Sequence, residues 1–308
     1  MGGESRFPEP MWKFLKPKFL IFALFPLIGY LGGEERLVGF KSLKIGLAAR
    51  EMGMGGSGGS SAEGGFSFFF NPALSAKGNK IFLHFAYTDW LLDTHQNALF
   101  FLQPTKIASF GFGVTLFDYG QVELRPDKPE AALGEYSPKD FTFYFNLARF
   151  LNKNLAVGFS TRYFYERFYN EEAKGWGLDL GLFYKLKSWQ IGLSYLNWAD
   201  VLKLKRREFY LPAVFRFGIS RPWSFKNFSF LPTFDLTYSP YERRWQVFSG
   251  GEVNFKEIIS FRFGYAGNAP TFGCGIKRGV LQIDYTVLIP REFPNPGHYF
   301  ALGFQTNY

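Results

Sequence analysis

From Lys80 to the end of the chain, apolar and polar residues alternate one by one. His298, Phe300, Leu302, Phe304, Thr306 and Tyr308 fall on one face of the last stretch, and Tyr299, Ala301, Gly303, Gln305 and Asn307 on the other. A period of two is the signature of a strand with two different faces. The same split recurs in Leu155–Tyr165, Trp176–Lys185, Ile259–Ala266 and Leu281–Val287. Read along the chain, it predicts fourteen strands: roughly 80–90, 96–103, 106–118, 139–149, 154–167, 174–186, 189–198, 209–220, 227–239, 244–255, 258–267, 270–277, 279–289 and 298–308.

Alternation alone does not separate a membrane barrel from a soluble sandwich; the charges and the connections do. Arg162, Asp179, Lys185, Arg262 and Asp284 fall mid-strand opposite the rings, where a wet lumen tolerates them. Connections after odd-numbered strands include the long, charged and Pro/Gly-rich stretches Asp118 to Pro138, Arg167 to Lys174, Trp198 to Phe209 and Pro290 to Gly297. Those after even-numbered strands include Leu151–Lys153, Lys187–Ser188, Lys256–Glu257 and Arg278–Gly279, which are short. Outer-membrane barrels have this asymmetry, with short periplasmic turns and longer external loops. Two connections depart from it: Arg221–Trp223 is long for a periplasmic turn and Asn268–Pro270 short for an external loop. The fold class expected is all-β, a transmembrane antiparallel β-barrel of about 14 strands at residues 80–308, with an N-terminal luminal hatch.

The residues before Lys80 follow other rules. Lys13, Lys16 and Lys18 precede an apolar run from Phe19 to Leu31 that Pro26 and Gly29 interrupt. That is the basic n-region and short h-region of a secretory signal, expected at residues 1–33, and it falls short of the about 20 apolar residues of a transmembrane helix, although an uncleaved membrane anchor is the other reading. Residues 34–79 then hold the Gly/Ser-rich stretch of the chain, Gly53–Gly59, and the cluster Phe66, Phe68, Phe69, Phe70. A barrel of about fourteen strands is wider than one that side chains alone can fill. These residues are the available filling, since exposed rings are unfavourable in water; a disordered periplasmic extension is the other reading.

Composition agrees. Aromatic residues make up 21% of the 308 positions, with 40 Phe and 17 Tyr, and membrane barrels use rings for their outer girdles. The net charge of +9 does not indicate a nucleic-acid partner, because Lys and Arg are scattered along the chain and no recognition module is present. The basic run Lys203–Arg207 in an expected external loop could meet lipopolysaccharide phosphates, although an ordinary solvated loop explains it too.

Chemistry is sparse. Cys274 is the single cysteine, so no intramolecular disulfide or cysteine-cluster metal site can form; within Thr271–Ile276 it reads as a buried structural thiol. His84 and His298 lie on strands and His95 at a loop edge, with no nucleophile or metal-ligand spacing around them. Glu171–Glu172 and the pair Asp127 and Glu130 read as solvated loop charges. The spacing Gly53-x-Gly55-x-x-Gly58 formally matches a dinucleotide fingerprint, yet no βαβ context surrounds it. Neither an enzyme nor a cofactor or metal is expected.

The segment Ala48-Ala49-Arg50-Glu51-Met52-Gly53-Met54-Gly55-Gly56-Ser57, followed by Asn71-Pro72-Ala73-Leu74, resembles the N-terminal signature of the PorV/PorQ family, and the match spans the secreted chain. It departs from the family pattern between the two motifs, where Ala62–Ser67 carries few acids. The resemblance implies a hatch motif of Arg50, Gly53, Gly55, Gly56, Asn71, Pro72 and Ala73. It also implies kinship with FadL-type hydrocarbon transporters, which carry an Asn-Pro-Ala in their luminal hatch. For characterised members of the family it further implies a type IX secretion role.

The main expectation is therefore an outer-membrane barrel that handles secretion cargo through its external loops, especially Asp118 to Pro138 and Trp198 to Phe209. Its partners would be proteins with a C-terminal sorting domain and a large outer-membrane translocon, besides outer-membrane lipids and lipopolysaccharide. The alternative is a FadL-like conduit for a hydrophobic small ligand in the lumen, gated around Asn71–Ala73, and a third is a barrel with a purely structural role.

Overall fold

The protein is described from a computed structural model covering residues 35–124, 134–168, 171–199, 202–204 and 207–307. The expected signal at residues 1–33 lies outside the described residues, as do Asp127, Glu130, Lys205 and Arg206.

Fourteen strands of the described residues close into one antiparallel barrel. They are β1 (Lys80–Asp89), β2 (His95–Pro104), β3 (Ser109–Asp118), β4 (Lys139–Phe150), β5 (Leu155–Phe168), β6 (Glu171–Leu186) and β7 (Trp189–Trp198), then β8 (Val214–Ser220), β9 (Phe228–Ser239), β10 (Arg244–Phe255), β11 (Ile259–Ala266), β12 (Ala269–Arg278), β13 (Leu281–Leu288) and β14 (Gly297–Asn307). Each strand pairs with its neighbours in sequence, and the ring closes where β1 meets β14, from Lys80 opposite Asn307 to Asp89 opposite His298. Closure leaves no unpaired edge, which is what allows a sheet to stand in lipid.

Alternation places the two faces as the sequence requires. Phe112, Phe143, Phe159, Leu180, Phe217, Phe234, Phe263 and Phe300 point outward and are exposed, whereas Thr115, Tyr144, Asn146, Ser160, Asp179, Thr237, Arg262 and Thr286 are buried on the inside. The outer surface is an apolar belt and the lumen is lined with polar groups. Cys274 belongs to the first set: it is exposed, in register with Phe261 and Tyr285 on the outward face. The buried thiol expected from the sequence is thus corrected, because Thr271, Gly273 and Gly275 take the inward positions of β12 and leave Phe272, Cys274 and Ile276 outside.

Two connections also differ from expectation. The stretch Arg167 to Lys174 is mostly strand, since β5 and β6 run on with Arg167 opposite Glu172 and Phe168 opposite Glu171; Glu171 and Glu172 are therefore cross-strand partners and not loop charges. Strand β8 starts at Val214, not near residue 209. Phe209, Tyr210 and Leu211 leave the wall: Tyr210 bridges in parallel to Val38, and the Phe209 ring sits 6.0 Å from Phe40. Short two-stranded ribbons, Val122–Leu124 with Gly134–Tyr136 and Leu202–Leu204 with Arg207–Phe209, decorate the two longest connections at the same end of the barrel. Among the described residues no helix is long and apolar enough to cross a membrane, which says nothing of strands.

Residues 36–79 run inside this wall. They form short helical turns, among them α1 (Ala49–Gly53) and α2 (Ser67–Phe70), with a 3-10 turn at Pro72–Lys77. Helix α1 touches β11 to β14, and the Pro72–Lys77 turn touches β2 to β6, so the segment spans the lumen from wall to wall. Phe66, Phe68, Phe69 and Phe70 are all buried, packed with Phe100, Tyr144 and Phe183 from the wall. Burial of each such ring is worth about 1.5–3 kcal/mol.

Candidate functional site: the luminal segment and its cradle

Arg50 projects from α1 to Glu252 of β10, with Nε donating to Oε2 at 3.0 Å and Nη2 to Oε1 at 2.7 Å. Its Nη1 donates to Glu51 Oε1 at 2.9 Å and to the Ser61 carbonyl at 3.3 Å. Glu252 is shared: Arg262, its cross-strand partner on β11, donates to the same carboxylate at 2.6 Å and also pairs with Asp284 at 2.8 Å. Buried charges are tolerated when each has partners of opposite sign with good geometry. Burial pushes the Glu51 carboxyl above the ordinary carboxylate range, and the Arg50 guanidinium only partly offsets it.

The glycines after Arg50 let backbone meet backbone. Gly55 and Gly56 have φ of 71° and 76°, conformations that side chains other than glycine rarely adopt. A Cβ on Gly55 would stand 2.5 Å from Ser249 O and Tyr265 N of the wall. Thr271 of β12 bonds both sides of this turn, accepting from Gly55 N at 3.1 Å and donating to Gly53 O at 3.2 Å. Gly56 O accepts from Arg216 Nη1 at 3.1 Å; the same nitrogen donates to Asp235 at 2.6 Å, and that carboxylate receives the backbone N–H groups of Gly58 and Gly59.

Asn71 ties the two motifs together. Its Nδ2 donates to Gly59 O and to Leu182 O of β6, both at 3.0 Å, while Oδ1 accepts from Ala73 N at 3.0 Å and caps the following turn. Pro72 O accepts from Asn146 Nδ2 of β4 at 3.2 Å. Ala73 presses on β5, where a Cβ at Gly158 would lie 2.3 Å from its nitrogen. All seven residues of the expected motif therefore lie in one luminal body and contact either the wall or one another.

The partners Glu252, Arg216, Asp235, Asn146 and the wall glycines 158, 181, 192 and 264 were not singled out from the sequence. Their one legible signal is polar or small character mid-strand on the inward face. His84 faces the lumen between Phe66 and Phe82, with ring centroids 5.2 and 5.6 Å away. His95 and His298 meet the hydroxyls of Tyr87 and Tyr285 at 3.0 and 2.7 Å.

Helix α1 separates two cavities. One, of about 370 Å3, lies toward the short turns and is bounded by Arg50, Glu63, His84, Glu252 and Lys277. The other, of about 120 Å3, lies toward the long loops, with Met52, Phe69, Phe70 and Phe248 in its walls.

Compared with known proteins, the chain matches no family model and no curated protein sequence. Solved structures do share its fold. The "CymD monoaromatic hydrocarbon channel" superposes with a TM-score of 0.62 at 14% identity, over 85% of this chain and 98% of that one. The Pseudomonas putida toluene transporter TodX gives 0.63 at 13%, over 85% and 98%, and a Pseudomonas aeruginosa FadL homologue 0.55 at 12%, over 89% and 99%. At such identities the likeness is one of fold: the chain is a closed fourteen-stranded antiparallel barrel of the outer-membrane kind.

Proposed function

We propose that the protein is an outer-membrane conduit for hydrophobic small molecules, with residues 34–79 as a hatch across the lumen and residues 1–33 as its export signal. The observation that carries this reading is the likeness in fold to barrels named as a monoaromatic hydrocarbon channel and a toluene transporter. Support comes also from the lumen, where a compact segment rests on buried rings yet leaves cavities on both sides. Ligand sites of this kind are concave and largely apolar, with a few placed polar groups.

The secretion reading drawn from the Arg50–Ser57 and Asn71–Leu74 motifs keeps that resemblance as its support. Two of the solved structures described above are named as a hydrocarbon channel and a toluene transporter, so the balance moves to the alternative named at the outset. In the conduit, the Arg50, Gly53, Gly55, Gly56 turn and the Asn71-Pro72-Ala73 turn hold the hatch against the wall.

The test is uptake of labelled toluene by cells carrying the barrel, against cells carrying a variant with the hatch locked to the wall by a cysteine pair, Ser60→Cys with Ser220→Cys. The Ser60 and Ser220 hydroxyls already meet at 2.9 Å, so near-isosteric cysteines there are close enough to cross-link. Faster uptake with the free barrel, abolished by the lock and restored by reductant, is expected. Equal uptake in barrel-free cells would refute the reading.

A further inference from the structure

The connection from β8 to β9, residues 221–227, is the long one on the side of the barrel where the others are short turns. It is an ordered hairpin. Trp223 and Ser224 pair with Phe230 and Ser229 of β9, and Phe225 N donates to Phe228 O at 2.8 Å. Its tip is tied to the next turn on that side, where Lys256 N donates to Asn227 O at 2.8 Å. Rings and cations alternate over this corner. The Arg221 guanidinium carbon lies 5.2 Å from the Trp189 ring of β7 and 5.5 Å from that of Trp223. Phe225 stacks on Phe228 at 4.8 Å, and Phe228 stands opposite Phe255 in the ladder.

Trp189, Trp223, Phe225, Phe228 and Phe255 are all exposed, and a contiguous exposed patch of rings marks a contact surface. Phe228 and Phe255 have the strand parity of Phe234 and Val247, which are exposed on the outward face, so the patch continues the apolar belt. Charge on this end is one-sided. The six connections here carry Lys106, Lys153, Lys187, Arg221, Lys226 and Lys256 against the single acid Glu257. The long-loop end mixes signs, with Asp93, Asp118, Glu242 and Glu292 beside its cations. Among the described residues, no ion pair involves Arg221, Lys226 or Lys256. Three cations at one corner, two of them exposed, therefore stand without a counter-charge from the chain.

We propose that this corner binds an anionic phospholipid of the periplasmic leaflet, its phosphate on Arg221, Lys226 and Lys256 and its acyl chains along the Trp189, Phe228 and Phe255 rings. Short turns of such barrels face the periplasm, so this end meets that leaflet. Clustered cations at a membrane surface attract anionic headgroups, and aromatic side chains settle at the same level. Arg221, held between two indole rings, is oriented before any lipid arrives, and an oriented guanidinium suits a phosphate. A lipid fits better than a soluble anion because the rings beside the cations continue into the belt, where acyl chains already lie. The inference rests on the barrel standing in the outer membrane and is independent of what its lumen carries.

The experiment is native mass spectrometry of the full barrel in mild detergent, with phosphatidylglycerol and phosphatidylcholine added together in equal amounts, to read which lipid stays bound. Two double variants are compared with the native chain: Arg221→Gln with Lys226→Gln, and Lys106→Gln with Lys153→Gln. The second removes the same charge from the same end, in the β2–β3 and β4–β5 turns. Heat-modified mobility on gels selects folded protein, and neither Arg221 nor Lys226 lines the two luminal cavities. The native barrel is expected to retain phosphatidylglycerol about tenfold over phosphatidylcholine, the first double variant to lose that preference, and the second to change it by less than about twofold. Equal retention of the two lipids by the native barrel would overturn the proposal. Equal losses in the two double variants would overturn it too, since a diffuse field and not this corner would then hold the lipid. Retention of neither lipid would leave the corner to an acidic protein and sink the lipid assignment. Toluene uptake by cells decides the conduit reading separately.

Discussion

Arg50 of the luminal segment and Glu252 of the wall, 202 residues apart, form a two-pronged ion pair with both side chains nearly inaccessible. It ties the segment to β10, and Arg262 pairs with the same carboxylate. Removing Glu252 leaves Arg50 with Glu51 and Arg262 with Asp284, two cations each short of a partner. Glu252→Gln is expected to lose about 3–5 kcal/mol of stability, the usual consequence of breaking a buried pair on one side. Thermal unfolding in detergent, followed by gel mobility, measures it. The double variant Arg50→Met with Glu252→Met is expected to recover much of the loss, since Arg262 retains Asp284. An unaltered midpoint in Glu252→Gln would mean the pair does not hold the segment.

Gly264 of β11 faces the Gly55 turn so closely that an added Cβ would stand 2.1 Å from Gly55 N and 2.3 Å from the Met54 carbonyl carbon. Those are backbone atoms and cannot rotate away. Gly264→Ala is expected to lift the turn from the wall while the strands stay paired, because β11 keeps its ladder on both sides. Limited proteolysis reads this as faster cutting before Lys80 with the barrel fragment intact. Gly78→Ala is the control: its nearest neighbour would be 3.4 Å away, an ordinary contact, and its cutting rate is expected to match the native chain. Equal rates for both variants would contradict the close packing.

The strands were legible because their rule is local: a period of two needs no knowledge of partners. The start of β8 was not. Phe209 and Leu211 continue the alternation of Phe215 and Phe217, yet they pack on Phe40 and Phe164, which the sequence places far away. Cys274 has the strand parity of Phe272 and Ile276, which puts it outside, and the general preference of free cysteine for burial does not override that parity. For the luminal site, the Arg50–Ser57 and Asn71–Leu74 motifs were visible as motifs. Their partners Glu252, Arg216 and Asp235 were not, because which wall residue meets which luminal residue depends on the shear of the whole barrel.

Cys274 offers a direct probe of which side of the wall faces lipid. It is exposed on the outward face, level with Phe261 and Tyr285, in the middle of β12. In membranes its surroundings are hydrocarbon, where a thiol stays protonated and a charged reagent does not enter. A sulfonated maleimide is therefore expected to leave Cys274 untouched in isolated outer membranes, and an apolar maleimide, which enters the hydrocarbon but meets the thiol and not the thiolate, to label it only slowly. After solubilisation in a small-micelle detergent, the sulfonated reagent is expected to gain access, and denaturation to equalise the two. Cys274→Ser, unlabelled throughout, confirms that the signal belongs to this thiol, the single one in the chain. Rapid labelling by the sulfonated reagent in intact membranes would put the outward belt in water, and no conduit through a membrane could then be built on this barrel.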